Sequence, residues 1–107
     1  MYGCETEIWY VKESNRDLCM GYDWCEGKNV LPNPNDLQAT HILLCKVADT
    51  DLNRIYRNFQ TEIWSPEGEA VPVIESKGLL HTSISVGDII KIGTNCWMVD
   101  IVGFKKL

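Results

Sequence analysis

The chain has no Cys-x-x-Cys pair, no block of like charges, no low-complexity segment and no apolar run near membrane-spanning length. Each absence removes a class of function. A transmembrane helix needs about 20 consecutive apolar residues, so no membrane partner is expected. The start, Met1-Tyr-Gly-Cys-Glu-Thr-Glu7, carries neither the basic nor the apolar region of a secretion signal, so the expected location is the cytoplasm. Cys4, Cys19, Cys25, Cys45 and Cys96 are odd in number and lack zinc-ligand spacing, with His41 and His81 the only imidazoles to complete a site. No metal or cofactor is therefore assigned. The thiols read as reduced, with Cys45 and Cys96 serving as small core residues inside apolar runs.

Basic residues are also scarce. Ten Lys and Arg stand against 15 Asp and Glu, giving a net charge of −5, and so the chain lacks the basic surplus with which duplex-DNA binders neutralise phosphates. The turn Ser65-Pro-Glu-Gly68 has one glycine and no lysine partner, so it is not a phosphate loop. A Gly-x-Ser-x-Gly nucleophile elbow is absent as well, and no catalytic residue is assigned.

What is present describes a globular domain over residues 1–107, with hydrophobic and charged fractions of 45% and 23% that exclude a disordered chain. Its length suffices to bury roughly 60–70% of the unfolded surface. Glu7–Lys12 reads as a strand from its aromatic and β-branched residues. Ser14–Asp17 supplies turn chemistry, and Leu18–Trp24 can return as a second strand, so residues 1–38 read as a hairpin followed by a Gly/Asn/Pro-rich loop. Ala39–Ala48 is a continuous apolar run, the signature of a buried strand. Asp49 or Thr50 then caps a helix to Gln60, with Leu52, Ile55, Tyr56 and Phe59 on one face. Ala70–Lys77 can form a short helix with Pro72 in its first turn and Gly78 just past its end. Asp88–Ile92 and Cys96–Val102 form a hairpin across Gly93-Thr-Asn95, and Gly103 permits a bend that lets Phe104 close on the core. The expected fold is α+β: a curved, mainly antiparallel sheet of about five strands packed on one principal helix.

The densest polar stretch is His81-Thr-Ser-Ile-Ser-Val-Gly-Asp88, placed between Glu62-Ile-Trp-Ser-Pro-Glu-Gly-Glu-Ala70 and the final Cys96-to-Phe104 run. This order of strand, helix, Ser-Val-Gly-Asp hairpin and closing Gly103-Phe104 resembles small uncharacterised proteins of bacteriophages and mobile elements. Residues 39–107 resemble the YodL-like domain found in polyvalent plasmid and phage proteins. The chain departs from that pattern at Val71, where family members tend to carry arginine, and at Gly93-Thr-Asn95, where an acidic turn is common. The resemblance implies origin and fold, because the family has no established activity.

His81, Ser83 and Ser85 include a base and hydroxyls, but catalysis needs a base within hydrogen-bond reach and a third group to orient it. A Ser/Thr-rich approach to a strand more often satisfies backbone donors in a turn. Glu67 and Glu69 lie in a Gly/Pro turn, where carboxylates are usually solvated. Four tryptophans are many for this length; Trp97 reads as core, and Trp64 reads as an interface anchor or a lid on the helix end. Tyr10, Tyr22 and Trp24 offer a second aromatic surface.

The expected function is a non-enzymatic accessory protein in the host-cell cytoplasm that binds a host macromolecule, for counter-defence or regulation. Its binding face would comprise Trp64, Glu67, Glu69, His81, Ser83 and Ser85. Two alternatives stay open: an enzyme or small-ligand binder with a pocket around His81, and a nucleic-acid-binding module. An unpaired edge in the N-terminal hairpin would allow a homodimer.

Overall fold

The computed structural model describes residues 5–79 and 81–107. Cys4, read above as a reduced thiol, lies outside them.

The second residue run of the chain already dictates where the first strand must sit. In β1 (Thr6–Val11), Ile8 and Tyr10 point to one side and Trp9 and Val11 to the other, and all four are buried. A strand apolar on both faces belongs in the middle of a covered sheet. β1 accordingly lies between β2 (His41–Val47) and β3 (Ile89–Ile92), followed by β4 (Asn95–Val99) and β5 (Phe104–Lys106), in the order β2-β1-β3-β4-β5. Every pairing is antiparallel. The register shifts between Ile8 and Trp9, leaving Leu44 as the extra residue of β2. Gly93, at φ +60°, opens the two-residue turn between β3 and β4, an angle that glycine takes at no steric cost.

The fold is the expected α+β sheet, but its helical mass is divided among short elements on both faces. Residues 48–88 cover one face through α2 (Leu52–Asn58), α3 (Thr61–Trp64) and α4 (Val71–Ser76). Asp51 caps α2 by accepting from the Arg54 amide at 3.0 Å. Ile55, Phe59, Ile74 and Ile84 pack there with Ile8, Tyr10 and Ile90. The helix expected to run to Gln60 stops at Asn58, because Gln60 is extended (φ −77°, ψ 144°) and the chain restarts as α3.

Residues 12–40 cover the opposite face, and here the N-terminal hairpin reading is corrected. Glu13–Met20 is a kinked 3-10 segment and Tyr22–Gly27 is a helix, α1. Both edges of β1 are occupied by β2 and β3, so the segment after it has no free edge to pair with. It folds instead over Val11 and Met98 through Leu18 and Cys25. Asp100 accepts from the Tyr22 amide at 3.1 Å and so satisfies the start of α1 from 78 residues away. A homodimer contact through an N-terminal hairpin edge loses its basis, since the sheet's edges are β2 and β5. Trp97 is half-buried, whereas Cys96 is fully in the core. Among the described residues, no helix is long and apolar enough to cross a membrane.

Candidate ligand-binding site

Asp88 immediately precedes β3, and its carboxyl group is 1% exposed. Backbone pairing between β1 and β3 ends at Trp9 opposite Ile89. The Asp88 side chain continues it: Oδ1 accepts from the Val11 amide at 2.9 Å, and Oδ2 accepts from the Ser85 amide at 2.8 Å and from His81 Nε2 at 2.9 Å. Because the carboxylate can only accept, Nε2 of His81 carries the hydrogen, and the other ring nitrogen has no hydrogen-bond partner among the described residues.

His81 is also held by its ring face. It stacks on Tyr10 with centroids 4.6 Å apart and planes 12° from parallel. The Tyr10 hydroxyl donates to the Thr82 carbonyl at 2.7 Å, and Trp64 Nε1 donates to the same oxygen at 3.0 Å. Burial, aided by the nearby charge of Asp88, pushes the Tyr10 phenol far above its ordinary value, so it remains a donor.

The rest of the loop is tied down residue by residue. Ser83 Oγ accepts from the Thr61 amide at 2.8 Å and shares a 2.6 Å bond with the Thr61 hydroxyl. The Ile84 amide donates to Phe59, and Gln60 Nε2 donates to the Ile84 carbonyl at 3.2 Å. Gly87 has φ +99°, and a Cβ there would lie 2.9 Å from the Leu18 carbonyl oxygen. The Gly87 carbonyl accepts from Nε2 of buried His41 at 2.8 Å, while Thr40 Oγ1 meets His41 Nδ1 at 2.7 Å. Burial lowers the His41 pKa, only partly opposed by the bond to Gly87, so this imidazole is a neutral structural clamp.

Against this rigid loop the 3-10 segment leaves a cleft of about 430 Å³. One wall is Lys12, Glu13, Arg16 and Cys19, the other His81, Ser85 and Val86, with Val11 between them. The volume falls among those of small-molecule clefts, which run from about 300 to 1,000 Å³. Burial and the charge of Asp88 push the Cys19 thiol up, with Arg16 opposing, so the sulfur is held protonated rather than as a nucleophilic thiolate. The hydroxyls next to His81 are committed elsewhere: Ser85 Oγ donates to the Ser83 carbonyl at 3.1 Å, and Ser83 Oγ binds Thr61. Among the described residues, no group of three or more His, Cys, Asp or Glu side chains could hold a metal ion.

The six residues read from the sequence as one face divide into three groups. His81 and Ser85 line the cleft. Trp64 and Ser83 are tied into the protein: half-buried Trp64 tilts against Phe59 at 5.1 Å and donates to Thr82, and Ser83 anchors Thr61. Glu67 and Glu69 are exposed and stabilise their own turn, with Glu69 Oε1 accepting from the Glu67 amide at 2.6 Å. Sequence reasoning missed Lys12, Arg16 and Cys19, which reach the cleft only because residues 13–20 wrap over the sheet. Spacing gave no signal for them, because Lys12 is extended and residues 13–20 form a kinked 3-10 segment in which residues four apart do not share a face.

Among known proteins, a 28-residue stretch is 61% identical to an uncharacterized protein of Acanthamoeba polyphaga mimivirus. It covers 26% of this chain and 26% of that protein. No family model matches the chain. No solved structure matches it.

Proposed function

We propose that the protein binds a small molecule in the cleft between the 3-10 segment and the 81–88 loop, with His81 as its polar centre. The observation that carries this reading is the His81–Asp88 pair: a fully buried carboxyl group and a stacked tyrosine fix an imidazole whose second nitrogen is unpaired among the described residues, at the wall of a cleft of about 430 Å³. Such fixed polar groups in a concave, partly apolar site are how small ligands are oriented. The protonated Cys19 thiol and the committed serine hydroxyls favour binding over nucleophilic turnover. A thermal-shift screen of metabolites tests it. Compounds that raise the melting temperature of the wild type and not of His81→Ala support the reading, since a ligand selective for the native state stabilises it. Equal shifts in both proteins refute it.

A second reading, binding of a host macromolecule, is favoured by a different surface from the one the sequence suggested. Met20, Ile101 and Val102, 54%, 74% and 84% exposed, line a shallow cleft with Trp24. Exposed apolar side chains grouped around a tryptophan are typical of interaction sites. The partial likeness to a viral protein supports a viral or mobile-element origin, and with it action in a host-cell cytoplasm; kinship of residues 39–107 with YodL-like domains belongs to the same proposal. Capture of a host protein by the wild type but not by an Ile101→Ser, Val102→Ser variant would support this second reading. Capture by neither would count against it.

A further inference from the structure

We infer that the cleft beside His81 selects a small organic anion, one charged group on an apolar body, with Lys12 and Arg16 receiving the charge. This inference rests on the ligand-binding reading above and adds the chemical class.

Two observations carry it. The first is the disposition of charge. In a chain of net charge −5, two cations, Lys12 and Arg16, stand on one wall of this cleft against a single acid, Glu13. Neither cation has an ion-pair partner among the described residues; the Lys/Arg–carboxylate pairs found there are Lys46–Glu5 and Arg54–Asp49. The buried acid behind the wall, Asp88, is bonded to three donors and pairs with neither cation, although its charge is felt at Cys19. The protein's overall negative charge acts weakly here, because charges separated by more than about 8–10 Å of saline are largely screened.

The second observation is the shape of what remains. Val11 and Val86 line the cleft beside the imidazole, so a ligand meets apolar surface as soon as its charged end is placed. Two cations diluted by Glu13, with no glycine-rich phosphate cradle, suit a single carboxylate, sulfonate or phosphate monoanion better than a di- or triphosphate. Arg16 can grip such a group with two parallel N–H donors, and Lys12 adds a point charge.

The test is a fluorescence titration with two probes of similar shape, anionic anilinonaphthalene sulfonate and neutral N-phenylnaphthylamine. A charge-assisted contact implies that the wild type binds the sulfonate about tenfold more tightly than the neutral probe. Arg16→Gln should bring the two dissociation constants within about twofold by weakening the sulfonate alone, as removal of one such contact requires. Ser85→Trp, which fills the cleft from an exposed position, should abolish both signals, with far-UV circular dichroism verifying the fold. Equal affinity for the two probes, or a preference untouched by Arg16→Gln, overturns the anion inference while leaving the cleft a ligand site. Binding of neither probe, or binding that survives Ser85→Trp, overturns the ligand reading itself and the inference with it.

Discussion

Tyr10 and His81 lie ring on ring, 4.6 Å apart, while the Tyr10 hydroxyl bonds the carbonyl of Thr82 and the His81 ring bonds Asp88. β1 thus holds the loop 71 residues later at His81 and Thr82 through Tyr10, and at Asp88 through the Val11 amide, which ties the cleft wall to the core. The order of energetic importance within the loop follows from which groups would be left buried and unpaired.

Asp88→Ala leaves the amides of Val11 and Ser85 without their acceptor, and unmet buried donors cost about 1–3 kcal/mol each. The variant should be about 3–5 kcal/mol less stable than wild type by urea denaturation, on that basis. His81→Ala removes one bond and one stacking contact from a side chain that is 31% exposed, and should cost only about 1–2 kcal/mol. A larger loss from His81→Ala than from Asp88→Ala would show that the carboxyl group is not the organising element.

Two donors share one acceptor at Thr82, which predicts non-additivity. Tyr10→Phe or Trp64→Phe alone leaves the carbonyl with a remaining donor, whereas the double variant leaves it with none from these side chains. In a double-mutant cycle the pair should lose about 1 kcal/mol more than the sum of the single losses. Simple additivity would mean that solvent reaches the carbonyl freely.

Glycine is required at Gly87 for two reasons and at Gly78 for one. Both have positive φ, +99° and +71°, but a Cβ at Gly87 would meet the Leu18 carbonyl at 2.9 Å, while nothing lies within 4 Å of a Cβ at Gly78. Gly78→Ala should cost about 1–2 kcal/mol, the left-handed backbone penalty. Gly87→Ala should cost about 3 kcal/mol or more, because backbone strain adds to a clash with backbone that cannot rotate away. Comparable midpoints for the two variants in urea would contradict the close approach of residues 18 and 87.

His41 makes stability fall on mild acidification. Its pKa in the unfolded chain is about 6.5, and burial lowers it in the folded protein. Between the folded value and 6.5 the unfolded state binds the extra proton, so stability is complete above about pH 6.5 and is lost as pH falls through the folded value. Melting temperatures from pH 7.5 to 5.5 should decline in wild type more steeply than in His41→Gln, whose amide can still donate to Gly87. Parallel curves would assign the decline to other groups.

Residue type and spacing alone determined much of this protein. The double-sided apolar pattern of Ile8 to Val11, the helical spacing of Leu52, Ile55 and Phe59, and the Gly93 turn are local signals, and each element formed where its own residues favour it. Local chemistry also marked His81 to Asp88 as the dense polar stretch. Tertiary structure alone decided the rest. Leu18 to Trp24 has strand-like composition, but β2 and β3 occupy both edges of β1, so the segment coils over the sheet and takes its helix cap from Asp100. That displacement carries Arg16 and Cys19 to the cleft beside Lys12, while on the other face Trp64 donates to the Thr82 carbonyl and Ser83 binds Thr61. Hydrogen-bond partners 22 to 78 residues apart cannot be read from spacing, because they depend on which edges and faces the rest of the chain has already filled.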